Sequence, residues 1–159
     1  MKRETLFLKA ALFFIGIPVL ALCIFALPVM VKWGLESNSE WSWVLYGIVI
    51  LMYGSAVPFY FALFQAFKLL QYIDGNKAFS ELSVMALKKI KLCAASISVL
   101  YIAGLPLFYI FAEIDDAPGV ILIGLIIVFA STVIGVFAAV LQKLLKNAID
   151  IKSENDLTV

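Results

Sequence analysis

Four long apolar segments without a charged side chain constrain this sequence more than any other feature. Each has about the 20 residues that an α-helix needs to cross the hydrocarbon core of a bilayer. The predicted spans cover residues 10–31, 43–67, 93–112 and 120–141. The chain has 159 residues, 64% hydrophobic and 14% charged, so a water-soluble core of this size could not bury its apolar surface. The sequence therefore predicts an all-α, polytopic membrane protein with one membrane domain over residues 1–159 and lipid as its solvent.

The distribution of lysine and arginine predicts the orientation of these spans. The chain has 12 Lys and Arg residues, and all but Lys32 fall in the N-terminal segment, the connection 68–92 or the tail 142–159. Positive charge stays on the cytoplasmic side of a membrane, so both termini and the connection 68–92 are expected in the cytoplasm. The tryptophans cluster around the first outer connection, where such rings anchor at the headgroups.

Prolines fall inside the first three predicted spans, at Pro18, Pro28, Pro58 and Pro106. Membrane helices tolerate proline where neighbouring groups bond to the carbonyls that it frees. We therefore expect kinked helices rather than broken ones.

The spans lack the side chains on which ion-coupled transport and most enzyme chemistry depend. They contain no Asp, Glu, Lys or Arg, and the whole chain contains no histidine. Cys23 and Cys93 lie in apolar segments and are interpreted as packing side chains. The sequence shows no metal-ligand spacing, phosphate-binding loop or nucleophile–base pair. We predict no enzymatic activity, no metal and no cofactor.

Tyr46, Tyr53 and Tyr60 recur every seven residues on the second span, so they share one helix face. They could line an apolar groove for a lipid or hydrophobic peptide, as in a small transporter or ligand-binding protein. They could also form a packing seam, in which glycines admit a neighbouring helix and the phenol hydroxyls bond to its backbone. The sequence favours the packing seam.

The connection 68–92 contains a turn signal followed by a helix signal. Asp74-Gly75-Asn76 is typical of a turn, because glycine tolerates positive φ and Asx side chains bond locally. Ser80 occupies a favourable N-cap position, and Glu81 suits the first helical turn. The lysines that would end this helix are Lys88, Lys89 and Lys91, and its apolar stripe is Leu82, Met85, Ala86 and Ile90. The pattern predicts an amphipathic cytoplasmic helix between the second and third spans, either on anionic lipid or as a docking surface.

The tail is expected to continue the fourth helix to Lys152 and then to leave it. "SENDLTV" contains Ser, Asn and Asp, which favour turns. Glu154 and Asp156 could contact the lysines of the inner connection, the whole run could form a partner-binding epitope, or it could fray. The residues leave these three alternatives open.

Two motifs, "DGNKAFSELSVMALKKI" and "ENDLTV", resemble the YoaS-like family of small four-helix bacterial membrane proteins of unknown function. In that family a Gly–Phe–Ser loop motif precedes a basic helix, and the chain often ends in an acidic-Asn-Asp-Leu-Thr-apolar run. Ala78 stands where the family often has proline, and lysines stand where arginines are common. The matching positions are Gly75, Phe79, Ser80, Glu154, Asn155, Asp156, Leu157, Thr158 and Val159.

The resemblance implies a location in the bacterial cytoplasmic membrane and a helix-turn-helix regulator as a partner, because family members are often encoded beside one. We therefore expect a non-enzymatic membrane protein that binds a small cytosolic DNA-binding protein through its inner connection and tail, without touching nucleic acid itself. Phe79 would anchor the contact and the basic helix would set its electrostatics. The alternatives are a small transporter or hydrophobic-ligand-binding protein, and an envelope-stress or self-protection protein acting through acidic outer loops. The sequence leaves a homo-oligomer open.

Overall fold

The computed structural model describes residues 2–37, 40, 42–114 and 116–157 and shows an all-α protein. Its elements are α1 (Lys2–Ala21), a π-helical segment (Leu22–Ala26), α2 (Leu27–Ser37), α3 (Ser42–Asp74), α4 (Glu81–Ile114) and α5 (Gly119–Leu157). The first three elements follow one another as a single apolar rod, called here the first helix. The structure thus contains four helices that are long and apolar enough to cross a membrane.

Consecutive helices pack against each other in antiparallel order. The first helix lies along α3, α3 along α4, and α4 along α5. The Lys2 end of α1, the turn 75–80 and the Leu157 end of α5 therefore lie at one end of the bundle.

The best-buried core lies between α3 and α4. Val44, Ile48, Tyr101 and Phe108 form this cluster, and the rings of Tyr101 and Phe108 stack with centroids 6.1 Å apart. The ring of Phe108 also lies against α5, within 3.3 Å of the place where a Cβ on Gly124 would be. Glycine at this position lets α5 approach the core closely.

Hydroxyl groups fix the register of the three packed helices. Ser55 and Tyr101 share a buried hydrogen bond of 2.9 Å between α3 and α4. Ser98 bonds at 2.8 Å to Ser131 and at 3.0 Å to Thr132, joining α4 to α5. Within hydrocarbon such bonds are worth about 1 kcal/mol each, and they hold only in one alignment of the helices.

The π-helical segment of the first helix lies just before Pro28. The Leu27 N–H bonds to the carbonyl of Leu22, five residues earlier. In the same pattern the Cys23 carbonyl would be matched with Pro28, which has no N–H. The hydroxyl of Tyr53 on α3 donates to this Cys23 carbonyl at 2.7 Å. A neighbouring helix thus satisfies the carbonyl that proline frees. Pro18, Pro58 and Pro106 also lie within continuous helices, as expected.

The predicted amphipathic helix between the second and third spans is wrong as a separate element. Its residues form the first turns of α4, which continues without a break to Ile114. The sequence has no glycine or proline between Ser80 and Gly104 that would interrupt the helix. Val84 and Leu87 are also buried, so packing favours one straight helix.

The expectation that the chain leaves the helix after Lys152 is wrong as well. Residues 153–157 continue α5, whereas Thr158 and Val159 lie outside the described residues. Adding a residue to an existing helix costs little because the costly nucleation has already occurred. The weak helix propensity of Ser153, Asn155 and Asp156 therefore does not end α5.

Candidate functional site

Four lysines, one on each long helix, lie at the same height along the bundle axis. They are Lys9, Lys68, Lys88 and Lys143. The Ser55–Tyr101 bond fixes the alignment of α3 and α4. Lys68 follows Ser55 on α3 by as many residues as Lys88 precedes Tyr101 on α4. Because the two helices are antiparallel, these lysines lie opposite each other. We call this height the lysine level.

The same counting places the remaining two lysines. When α4 and α5 are aligned by the Ser98–Ser131 bond, Lys88 lies opposite Leu141. Leu141 is half a helical turn from Lys143 on α5. When α3 and the first helix are aligned by the bond between Tyr53 and the Cys23 carbonyl, Lys68 lies opposite Leu8, the residue before Lys9.

The lysine level marks one boundary of the apolar part of the bundle. From Lys68 back to Trp43, α3 extends about 38 Å, which covers a hydrocarbon core and part of the headgroup layers. Lysine side chains and tryptophan rings both favour this interfacial region. The residues beyond Lys68 on α3, before Lys88 on α4 and after Lys143 on α5 therefore project out of the apolar layer. We call this projecting part the lysine end.

The turn between α3 and α4 closes the lysine end with local hydrogen bonds. The Gly75 N–H closes the last turn of α3, and Asn76 has a positive φ of 59°. Ser80 precedes α4 as expected, but its hydroxyl donates to the Lys77 carbonyl at 2.5 Å instead of capping the helix. The buried Ser83 hydroxyl donates to the same carbonyl at 3.1 Å. Two serines thus hold Lys77 and its neighbours against the start of α4.

Apolar side chains are exposed on this turn and on the first turns of α4. Phe79 is 58% exposed, Leu82 46% and Met85 52%. The predicted apolar stripe is therefore divided, because Ala86 packs inside, Ile90 is half-buried and only Leu82 and Met85 face outward. The tip surface is defined here as Phe79, Leu82 and Met85 together with the exposed lysines Lys77, Lys88 and Lys89. Lys91 is half-buried and lies about one turn inside the lysine level, within the apolar part of α4.

The tail lies apart from these lysines. The first residue of α4, Glu81, is opposite Ala148, so the last nine residues of α5 extend about 13 Å past α4. Glu154 lies about 20 Å beyond Lys88 along the axis, and the helix holds it there. The contact between the acidic tail and Lys88, Lys89 or Lys91 is therefore absent from the described part of the chain. Residues 151–157 are exposed.

The tyrosine face of α3 meets the first helix. Tyr60 donates to the Gly16 carbonyl at 2.8 Å, and Tyr53 donates to the Cys23 carbonyl. The Tyr46 ring lies against Gly34, where a Cβ would come within 2.9 Å of it. This is the geometry of a packing seam, although Tyr60 also lines a pocket of about 430 Å³ between α1 and α3.

An apolar cavity of about 380 Å³ lies between α1 and α5, with α3 and α4 as its floor. A second cavity of about 240 Å³ adjoins it and shares Phe59, Ile97 and Ile127 as lining residues. No charged side chain lines either cavity. Ser131, which lines the larger one, already bonds within the bundle.

Asp74 is a polar contact residue that sequence reasoning treated only as part of a turn. It accepts a hydrogen bond from Lys9 at 2.8 Å and another from the buried Thr5 hydroxyl. A carboxylate on the last residue of a helix faces the negative end of the helix dipole, so it needs a cationic or donor partner. The position of Asp74 at the end of α3, beside the lysine level, was the sequence feature that could have indicated such a partner. The contact ties the start of α1 to the end of α3.

Two comparisons with known proteins give the same result. The uncharacterized membrane protein YoaS of Bacillus subtilis (strain 168) is 64% identical over 158 residues, which covers 99% of each chain. The family described as "Protein of unknown function (DUF2975)" matches residues 34–159, from the last turn of α2 to the end of the chain. Neither description names an enzymatic activity. No solved structure matches the chain.

Proposed function

This chain belongs to the DUF2975 family of proteins of unknown function, and we propose that it is a non-enzymatic membrane protein that binds a small cytosolic protein. The lysine end is the proposed binding region, and it lies in the cytoplasm of a bacterial cell with both termini. The observation that carries the proposal is the exposure of Phe79, Leu82 and Met85 beyond the lysine level.

The orientation rests on where the positive charges lie. Lys9, Lys68, Lys88 and Lys143 stand at one height, and Lys32 alone lies near the other end. A lysine-rich end stays on the cytoplasmic side during insertion. The tip surface is then in contact with the cytosol.

The tip surface has the composition of a binding site for a protein. Exposed apolar groups rimmed by polar ones are typical of interaction sites, and an aromatic residue often anchors such a contact. The Ser80 and Ser83 bonds to the Lys77 carbonyl give Phe79 a fixed base, so less entropy is lost on binding. The surrounding lysines favour a partner with an acidic patch.

The proposed partner is a small regulator of the helix-turn-helix class, as the resemblance to the YoaS-like family implies. The partner would sit on Phe79, Leu82 and Met85, and its own basic surface would remain available for the exposed acids of the tail, Glu154 and Asp156. Binding at the membrane would hold the regulator away from DNA.

A photo-crosslinking amino acid at Met85 tests the proposal in native membranes. We expect it to capture a small soluble DNA-binding protein, and Phe79→Ala to reduce that capture at least tenfold, since hot-spot aromatics contribute 2 kcal/mol or more. Phe129→Ala, on a phenylalanine that is 73% exposed in the membrane layer, is the control and leaves capture unchanged.

A chain that ends at Lys152 separates the tail from the tip surface. Loss of the partner with this chain but not with Phe79→Ala would move the binding site to the tail. Capture of no soluble DNA-binding protein by any form would contradict the proposal.

The cavity between α1 and α5 supports a second candidate function, the binding of an apolar molecule. The cavity is lined by side chains without charge, so it suits a hydrocarbon ligand and not a coupling ion. Native mass spectrometry of the purified protein would show a retained apolar molecule, and Ala62→Phe, which narrows the cavity, would release it.

A further inference from the structure

A regular stripe of three apolar side chains and one asparagine follows the last turns of α5. Its members are Leu144, Ala148, Ile151 and Asn155, called here the α5 seam. The spacing of four, three and four residues keeps them on one face of the helix. Leu144 is 58% exposed and Ile151 59% exposed. Leu144 lies at the lysine level, and Ala148, Ile151 and Asn155 extend past it, so lipid does not cover these last three side chains.

The chain's own helices do not cover the α5 seam either. The buried residues of α5, Gly124, Ser131 and Ala138, face α4. They lie about 130° around the helix axis from the seam. Past Ala148, α5 also has no α4 residue opposite it, because α4 begins at Glu81.

The stripe has the pattern of a coiled-coil interface. Alternating steps of three and four residues are the a and d positions of a heptad, with Leu144 and Ile151 at d. Ala148 and Asn155 then occupy a positions. An asparagine at an a position selects a parallel pair of helices and fixes their register. The same steps continue toward the membrane through Leu141 and Phe137, both exposed.

Membrane orientation makes a parallel pair the natural arrangement. Two copies inserted the same way in one bilayer have parallel α5 helices, so each seam residue can meet its own counterpart. The flanking positions do not oppose this pairing. In the parallel register Asn147 of one copy faces Lys152 of the other, so no like charges meet there.

We propose that a second copy of this chain covers the α5 seam, forming a parallel two-fold dimer through the cytoplasmic part of α5. This proposal does not depend on the regulator, because the tip surface lies on the turn 75–80 and α4. In the dimer two tip surfaces point the same way, and Asn155 pairs with its counterpart across the axis.

Disulfide trapping in native membranes tests the dimer with the full chain. Single cysteines replace Leu144, Ala148 or Ile151 in a background of Cys23→Ser and Cys93→Ala. Residues that face each other across a two-stranded seam lie within disulfide range, so oxidation should give a covalent dimer for all three. Lys146→Cys and Ser153→Cys, on the opposite face, should give at least tenfold less. Equal trapping on both faces, or none at the seam, would overturn the proposal.

A charge substitution provides a second readout that does not depend on cysteine. Ile151→Lys places two lysines together at the seam, and we expect the dimer fraction in vesicles, counted by single-molecule photobleaching, to fall at least tenfold. Leu157→Lys is the control, because Leu157 is 83% exposed but lies off the seam. Unchanged dimer fraction in Ile151→Lys, or an equal loss in Leu157→Lys, would contradict the dimer. An immunoblot of the membrane fraction shows that each variant is present in the membrane as the full-length chain.

Discussion

The first helix and the α3–α4–α5 layer cross the same apolar region but are held in different ways. Only 6% of the residues in the most apolar window of the first helix are buried, against 17% for α3, 28% for α4 and 11% for α5. The packed layer joins side chain to side chain through the Ser55–Tyr101 and Ser98–Ser131 bonds and the stacked rings of its core. The first helix is joined mainly through its backbone, where tyrosines of α3 donate to its carbonyls.

This difference shows how a helix can be attached to a bundle with little buried surface. Lipid and leucine are equally apolar, so an apolar side chain gains little by leaving lipid. Attachment then depends on close approach of small residues and on hydrogen bonds. In the layer, glycines admit neighbouring side chains and hydroxyl bonds join the helices at Ser55 and Ser98. The first helix is held by contacts at Gly16, Cys23, Gly34 and the Asp74 cluster.

The packed layer should be most sensitive to added volume at Gly104. A Cβ at this position collides with a methyl group of Leu51, so α3 and α4 must separate or Leu51 must change rotamer. We expect Gly104→Val to lower the free energy of unfolding by about 2 kcal/mol. Gly54→Val is the control, since nothing lies within 4 Å of a Cβ there. Equilibrium unfolding in mixed micelles measures both, and equal losses would show that the close approach is unimportant.

The first helix should respond more weakly and more locally. Tyr53→Phe removes the donor to the Cys23 carbonyl, which Pro28 cannot replace, at a cost of about 1 kcal/mol. We expect hydrogen exchange in residues 22–27 to accelerate about fivefold while global unfolding barely changes. In Tyr46→Phe the ring contact with Gly34 remains, so exchange should stay unchanged. A large fall in global stability for Tyr53→Phe would mean that the first helix belongs to the cooperative core.

The smallest effect is expected where the first helix meets water. Asp74→Asn removes the ion pair with Lys9, in which the side chains of Asp74 and Lys9 are 20% and 22% exposed. The amide oxygen of the asparagine can still accept the hydrogen bond from Thr5. A pair with this exposure contributes at most about 1 kcal/mol. We expect faster exchange in the first turns of α1, and a difference from the unsubstituted chain that shrinks as salt is raised. The control Asp150→Asn, on an exposed acid of α5, should not alter α1. A salt-independent difference would point to the Thr5 contact instead.

Sequence reasoning was accurate where the signal is local. The absence of charge over about 20 residues predicts each span because burying a charged group in hydrocarbon is costly. The turn after Asp74 forms as predicted, but the positive φ falls on Asn76 and not on Gly75. The position of Ser80 before α4 follows from its N-cap preference, although the hydroxyl took a different partner.

The errors at the lysine end also have a local cause. Ser153, Asn155 and Asp156 were expected to leave the helix because their propensities are weak, but a long helix already formed carries them. The predicted helix after Ser80 exists, and the absence of glycine and proline before Gly104 was the local signal that it continues into the third span.

Charge and hydropathy act residue by residue, so the amino-acid sequence was enough to predict four helices apolar enough to cross a membrane, with all lysines but Lys32 toward one end. Which face of each helix is buried depends instead on how the helices pack. In lipid a helix is apolar all round, so its sequence lacks the polar face that reveals the inward side of a soluble helix. The partners of the tyrosine seam, the Asp74 contact with Lys9 and the exposure of the α5 stripe therefore emerge only when the helices are placed side by side.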